Sequence, residues 1–156
     1  MTPLPDQEIL RRLLLAAVMG GIIGAEREFR QKSAGFRTNI LIGMGSALFT
    51  IMSLELATAA SDPTRITAQI VTGIGFLGAG AIIRTRSGVH GLTTAATVWV
   101  NASIGVASGG GAYHIAVIAG ALTLAVLLLL WPLERAVERR IHKRELLNRR
   151  ASDRSA

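Results

Sequence analysis

The chain of 156 residues has no cysteine and only ten acidic residues, and these shortages exclude several classes of function. Without cysteine there can be no disulfide bond, no thiolate metal ligand and no thiol nucleophile. The 71 residues between Asp62 and Glu134 contain no carboxylate. Because acid–base catalysis commonly needs a pair of positioned carboxylates, we expect no enzyme, no catalytic residue and no cofactor.

Charge is also scarce, at 17% of residues against the roughly 25% that is typical of soluble domains. Residues 87–133 include no Asp, Glu, Lys or Arg, whereas half of the chain is hydrophobic and its mean hydropathy is +0.44. A net charge of +7 alone would be compatible with a nucleic-acid partner, but aromatic residues make up only 4%. Since the basic residues also flank apolar spans, the sequence predicts a membrane protein and no nucleic-acid partner.

Five apolar spans of about the length that crosses a bilayer can be marked. They are Ile9–Ala25, Thr38–Leu54, Ile66–Ile83, Leu92–Ser108 and Ala112–Leu133. The first span could instead be a signal peptide, but Asp6 and Glu8 precede it and no small-residue cleavage site follows. We therefore predict an all-α membrane protein of about five transmembrane helices.

The domain boundary is predicted after the fifth span, with residues 1–133 as the transmembrane domain and 134–156 as a tail. Apolar residues recur every four positions at the start of this tail, with basic residues between them. Such a pattern predicts an amphipathic helix that lies on the anionic lipids of the inner leaflet.

The basic residues also predict the orientation. Fourteen of them fall in 26–37, 84–86 and 134–156, which alternate helices place on one side of the membrane. Three fall on the other side, namely Arg11, Arg12 and Arg65. The positive-inside rule then puts the N-terminus outside and the tail in the cytoplasm of an inner-membrane, multi-pass protein.

Residues Gly73–Gly78 fit the dinucleotide-binding pattern G-x-G-x-x-G. That site also needs an acidic residue about 20 positions later, and the chain has none there. The alternative is close helix packing, because helices without Cβ atoms can bring their backbones together. The expected packing positions are Gly20, Gly24, Gly73, Gly75, Gly78 and Gly80.

Polar side chains recur within the spans and have two interpretations. Asn39 begins a polar face on the second span, Asn101 belongs to one on the fourth, and Gln69 adds an amide to the third. Buried amides and hydroxyls need partners in lipid, so they indicate either hydrogen bonds between helices or a polar permeation path. A homo-oligomer, with a dimer favoured, is expected from the small-residue faces.

Charged residues next to the spans are the remaining candidates for function. Glu26 ends the first span and Arg37 opens the second, so we expect them to pair at the cytoplasmic membrane edge. The alternative is a solvated helix extension held by weak i,i+4 ion pairs. Glu26 and Glu55 are the candidate metal ligands. The full set of candidate functional residues is Glu26, Arg27, Glu28, Arg37, Arg65, Gln69, Thr94 and Asn101.

Five stretches of the chain resemble the MgtC/SapB family of bacterial inner-membrane proteins, in the order in which that family has them. They are residues 24–28 (GAERE), 34–38 (AGFRT), 45–47 (GSA), 65–80 (RITAQIVTGIGFLGAG) and 91–99 (GLTTAATVW). The resemblance covers about residues 10 to 132. It implies a small multi-helix protein of the inner membrane that is tied to growth at low magnesium and, in pathogens, to virulence.

The resemblance also implies that some members act by binding other membrane complexes, including the proton-translocating ATP synthase, and not by moving magnesium. Longer members carry a soluble C-terminal domain, whereas about 23 residues follow Leu133 here, so we expect a short member. Some members have a cysteine just after the tryptophan, where this chain has Val100 and Asn101. We expect a regulator that binds another membrane complex, and the alternative is a small transporter or channel for magnesium or another ion.

Overall fold

The computed structural model describes residues 3–58, 62–86, 88–130 and 132. These residues form five helices and one short antiparallel hairpin. The elements are α1 (Asp6–Phe29), α2 (Phe36–Glu55), α3 (Arg65–Gly80), β1 (Ile83–Thr85), β2 (Gly88–His90), α4 (Leu92–Gly109) and α5 (Tyr113–Leu130). The chain divides into compact units of residues 1–124 and 125–156, so the boundary falls within α5. The boundary predicted after Leu133 and the basic tail lie outside the described residues.

Consecutive helices of the first unit run in opposite directions. We call the end at which α1 begins the Glu8 end, and the end at which it finishes the Glu26 end. At the Glu8 end, the backbone N–H of Leu4 donates to Glu55 at the end of α2, at 2.8 Å, and Arg12 Nη1 donates to the Gly109 carbonyl at the end of α4, also at 2.8 Å. This alternation agrees with the predicted order of the spans, while their orientation in a membrane stays a prediction.

Three helices, α1, α2 and α4, pack with their backbones in contact. A Cβ atom at five glycine positions would lie less than 3.0 Å from a backbone atom of a neighbouring helix. These glycines are Gly20, Gly24, Gly43, Gly105 and Gly109. Dispersion contacts between backbones are a main attraction between helices in lipid, so this contact is the core of the unit.

Helix α3 packs less closely than the sequence analysis expects. A Cβ atom on Gly73, Gly75 or Gly80 would have no atom within 4 Å, and one on Gly78 would reach the Ala95 carbonyl oxygen only at 3.6 Å. Gly73, Gly75 and Gly80 therefore do not pack closely against another helix of the described part of the chain, and their packing against another molecule stays a prediction. The physical reason is that α3 buries Ile70, Ile74 and Gly78 and turns its other small residues away from the bundle.

The chain between the helices also differs from the sequence analysis. Helix α1 continues past the predicted span to Phe29 and ends there, because Gln31 adopts a left-handed conformation (φ 55°). The Lys32 N–H then donates to the Arg27 carbonyl at 3.0 Å, which is the hydrogen bond of a Schellman motif. The third span stops at Gly80, and the hairpin that follows is not predicted by the sequence analysis.

The hairpin leads into α4 through Gly91, which has φ +89°. A Cβ atom at this position would overlap the carbonyl oxygen of Ala81, so the close return of the chain requires glycine here.

The outside of the first unit is apolar. On α1, four large side chains spaced four residues apart form an exposed stripe, consisting of Leu10, Leu14, Val18 and Ile22. By length and hydropathy, α2 and α5 are able to cross a membrane. The other three helices of the first unit are less typical of membrane spans. Helix α1 has charged residues at both ends, α3 has only 16 residues, and α4 contains six Thr, Ser or Asn residues. Five helices are thus confirmed, of which two have the composition typical of a membrane span.

The backbone contact predicts a contrast between two glycines. We expect Gly105→Leu to lower the free energy of unfolding by about 1–3 kcal/mol or more, because the new side chain meets the backbone of α2. Gly75→Leu should change it by less than about 0.5 kcal/mol, because its side chain enters open space. Unfolding of the two variants in detergent measures both values, and an equal loss would contradict the packing of α4 against α2.

Candidate functional site

The last turn of α1 holds a buried ion cluster, which we call the Glu26 cluster, made of Glu26, Arg27 and Arg30. The Arg27 Nε–H donates to Glu26 Oε2 at 2.6 Å, and Arg30 forms an ion pair with Glu26 Oε1. Glu26 is 8% exposed and Arg27 is 3% exposed. Among the described residues, no group accepts a hydrogen bond from the buried Nη1 of Arg27. The cluster therefore carries one net positive charge, and a buried donor of Arg27 has no acceptor among the described residues.

The position of this cluster follows from the end of the helix. The carboxyl end of a helix carries a partial negative charge, which favours the two arginines there. Glu26 and Arg30 are four residues apart, the spacing that brings side chains together on one helix face. The chain then turns at Gln31 and returns toward α2.

The expected ion pair between Glu26 and Arg37 is not present. The carboxylate of Glu26 is held by Arg27 and Arg30 of its own helix, and Arg37 is exposed in the first turn of α2. Glu28 connects the two helices instead, because its Oε2 accepts a hydrogen bond from the Phe36 N–H at 3.0 Å. This carboxylate caps the amino end of α2, where a negative charge is stabilised by the helix dipole.

Two fully buried asparagines join α2 and α4 inside the bundle. The Asn101 side-chain amide donates to the backbone carbonyl of Asn39 at 2.6 Å. The Asn39 amide donates in turn to the carbonyls of Ala34 and Gly35 at 2.8 and 2.9 Å. Of the two interpretations of the polar faces, this geometry fits hydrogen bonding between helices.

Two interior threonines form hydrogen bonds within their own helices, whereas the buried hydroxyl of Ser53 donates to the Pro63 carbonyl at 2.6 Å. The Thr50 hydroxyl donates to the Ser46 carbonyl at 2.8 Å, and that of Thr97 donates to the Thr93 carbonyl at 2.7 Å. Thr94, another candidate functional residue, is buried in the first turn of α4.

The remaining candidates are exposed and lie apart from the Glu26 cluster. Arg65 begins α3 at the Glu8 end, and Glu55 ends α2 there, where it accepts the hydrogen bond from Leu4. Glu26 and Glu55 therefore lie at opposite ends and cannot share a metal ion. Within the described ranges, no three His, Asp or Glu side chains lie close enough together to hold one.

A second polar cluster, which the sequence analysis does not single out, lies at the Glu8 end. Glu8 Oε1 accepts hydrogen bonds from Arg12 Nε, at 3.0 Å, and from the hydroxyl of Tyr113. Glu8 precedes the apolar part of α1. The hydrogen bond from Tyr113 is the largest cause that lowers the pKa of the Glu8 carboxyl, and the hydrogen bond from Arg12 is the second. The i,i+4 spacing of Glu8 and Arg12 is visible in the sequence, but the approach of Tyr113, 105 residues further on, is not.

A groove of about 800 Å³ runs along the outside of the bundle between α2 and α3, and we call it the α2–α3 groove. Its floor is the buried apolar cluster that includes Ile42, Ile70 and Val98. Gln69 lines it, so this candidate residue faces the groove and not the asparagine pair.

A family model described as the MgtC family matches residues 13–136, which is most of the chain and includes the Glu26 cluster, both asparagines and the groove. The chain belongs to the MgtC family. This confirms the resemblance found in the sequence. No solved structure is significantly similar to the chain.

Curated members of the MgtC family are about half identical to the chain. YhiD of Escherichia coli K12, whose name gives magnesium transport as a provisional function, is 50% identical over 127 residues, covering 77% of this chain and 59% of YhiD. Protein MgtC of Brucella abortus 2308 is 48% identical over 123 residues, covering 79% of this chain and 51% of the relative. Protein MgtC of Salmonella typhimurium 14028s is 49% identical over 118 residues, covering 76% of this chain and 50% of the relative. The chain thus spans about half the length of these relatives.

The Glu26 cluster predicts different costs for two charge-removing substitutions. Glu26→Gln leaves the side chains of Arg27 and Arg30 without their carboxylate. Because the Arg27 side chain is buried, we expect the free energy of unfolding to fall by about 3–5 kcal/mol. Arg37→Gln removes an exposed charge and should cost less than about 0.5 kcal/mol. Unfolding in detergent, with membrane abundance measured alongside, tests this, and a Glu26→Gln variant as stable as Arg37→Gln would contradict the burial of the cluster.

Proposed function

We propose that the chain is a multi-pass protein of the bacterial inner membrane that supports growth at low magnesium by binding and regulating another membrane complex. Family membership and the name of its Escherichia coli relative support a role in magnesium homeostasis. The apolar outer surface supports placement in lipid. The orientation in this proposal is the one expected from the basic residues, with the N-terminus outside.

The observation that carries this proposal is the closed contact of α1, α2 and α4. Gly20 lies against the backbone of α2, and Gly105 lies against Gly43 with no room for a Cβ atom. The asparagine pair then occupies the interior with hydrogen bonds to the backbone. Backbones in contact leave no space for an ion between these helices, so an activity on the outer surface fits the geometry better.

Small-residue faces on the outside are suited to contact with another helix, because they let backbones approach. Gly75 on α3 lies on such an open face. A homo-oligomer, with a dimer as the favoured state, belongs to the same proposal, as does a role in virulence for members from pathogens.

Ion transport is the second candidate function, and one structural observation favours it. Among the described residues, the buried Oδ1 of Asn101 has no hydrogen-bond partner. A carbonyl oxygen is a suitable ligand for Mg²⁺. Transport would require the three tightly packed helices to separate, or a path between several copies of the chain.

Flux through the purified protein separates the two functions. We expect vesicles that contain only this protein to take up Mg²⁺ no faster than empty vesicles, whereas the same gene restores growth at low magnesium to a strain that lacks its own MgtC-family protein. The Gly105→Leu variant, which disrupts the backbone contact of α4 with α2, serves as the incorrectly packed control in both assays. Uptake well above that of empty vesicles by the wild type would contradict the regulatory function and favour transport.

A further inference from the structure

The α2–α3 groove is long and its lining is mostly apolar. Between Thr38 and Phe49 it extends for about 16 Å along α2, and between Ile66 and Gly80 for about 21 Å along α3, at about 1.5 Å per residue. Its volume is about 800 Å³. A groove of this length and lining can hold extended alkyl chains that run along the two helices.

Three glycines, which have no side chain, line the groove and make it deeper. Gly45 of α2 and Gly73 and Gly80 of α3 line it, and a Cβ atom on any of them would meet nothing within 4 Å. The floor is apolar and belongs to the main core cluster. Burial of alkyl chains against this surface is favourable because flexible chains follow an irregular apolar wall closely.

The two ends of the groove differ in charge. At the Glu26 end, exposed Lys32 and Arg37 are the chain neighbours of the lining residues Ser33 and Thr38, and exposed Arg84 follows the end of α3. The nearest acidic side chain in sequence is Glu28, whose carboxylate already accepts the Phe36 N–H. At the Glu8 end, by contrast, the charged residues that the structure describes next to the groove are Arg65, Asp62 and Glu55, so both signs of charge are present there.

We propose that the α2–α3 groove binds one anionic phospholipid. Its acyl chains lie between α2 and α3, over Ile42 and Ile70. Its phosphate lies at the Glu26 end, close to Lys32, Arg37 and Arg84, where the hydroxyls of Ser33 and Thr38 donate hydrogen bonds to phosphate or glycerol oxygens. The excess of cations at this end selects an anionic headgroup over a zwitterionic one. This assignment gives a function to the open glycine face of α3, and it does not depend on the proposed function.

A matched pair of glycine variants tests the acyl-chain part of the proposal. Gly73→Leu places a side chain in the groove, whereas Gly75→Leu places the same side chain on α3 outside it, and both positions have open space. The proteins are purified from bilayers of equal parts phosphatidylglycerol and phosphatidylcholine, and retained lipids are counted by native mass spectrometry. We expect one phosphatidylglycerol per chain for the wild type and for Gly75→Leu, and at least a tenfold lower retention for Gly73→Leu.

A second pair tests the headgroup part. Arg37→Gln should lower the preference for phosphatidylglycerol over phosphatidylcholine about fivefold, which is the effect expected of one cation near a membrane surface. Arg11→Gln, an exposed cation at the Glu8 end, should leave the preference unchanged.

Three results would overturn the proposal. In the first, Gly73→Leu retains phosphatidylglycerol at the wild-type level. In the second, the wild type retains the two lipids equally. In the third, the wild type is a dimer without bound lipid, and Gly73→Leu dissociates this dimer. The last result would assign the groove to a second copy of the chain. The bound lipid is supported if Gly73→Leu loses phosphatidylglycerol and Gly75→Leu keeps it. Equal unfolding of the two variants in detergent verifies that both are folded.

Discussion

Contact between the backbones of α1, α2 and α4 is the constraint on which the rest of the first unit depends. In lipid, apolar side chains gain little by moving from lipid to protein, so helices associate through close packing and hydrogen bonds. Both occur here at the same place. Gly43 and Gly105 bring α2 and α4 together, and the Asn101 amide reaches the Asn39 carbonyl at 2.6 Å. Larger residues at either glycine would separate the helices and leave this buried amide without its acceptor.

The same constraint explains why function is expected at the outer surface and at the helix ends. Three helices in backbone contact have no room between them, so charged and mobile groups lie elsewhere. The Glu26 cluster lies at the end of α1. At the other end, the hydrogen bond between Glu8 and the Tyr113 hydroxyl connects the start of α1 to the start of α5. Helix α3 has no such backbone contact, and the small residues on it leave an outer face that another molecule can approach.

Periodicity in the sequence was sufficient to predict the helices, and local residue patterns were sufficient to locate some of their contacts. Gly20 and Gly24 do lie against α2, but Gly73, Gly75 and Gly80 of α3 face open space, because a small-residue pattern does not specify which neighbour it meets. Glu26 lies in the last turn of α1, and its place at a membrane edge stays a prediction, but its ion-pair partners are Arg27 and Arg30 and not Arg37. Arg30 is one turn away on the same helix, whereas pairing with Arg37 depends on how the chain crosses to α2. The hairpin was missed because three-residue strands are too short to show a period.

The central claim is that the protein acts without opening between its helices. Because α3 lacks the backbone contact that holds α1, α2 and α4 together, locking α3 to α4 tests this claim where the packing is less close. A Cβ atom on Gly78 would lie 3.8 Å from that of Ala95, the separation of about 3.8 Å that is typical of a disulfide. The chain has no cysteine of its own, so Gly78→Cys with Ala95→Cys introduces one defined pair. Growth at low magnesium is measured after treatment with a short bifunctional thiol reagent, with the two single variants as controls. The account predicts that the cross-linked protein supports growth as well as the single variants do, and loss of growth in the double variant alone would contradict it.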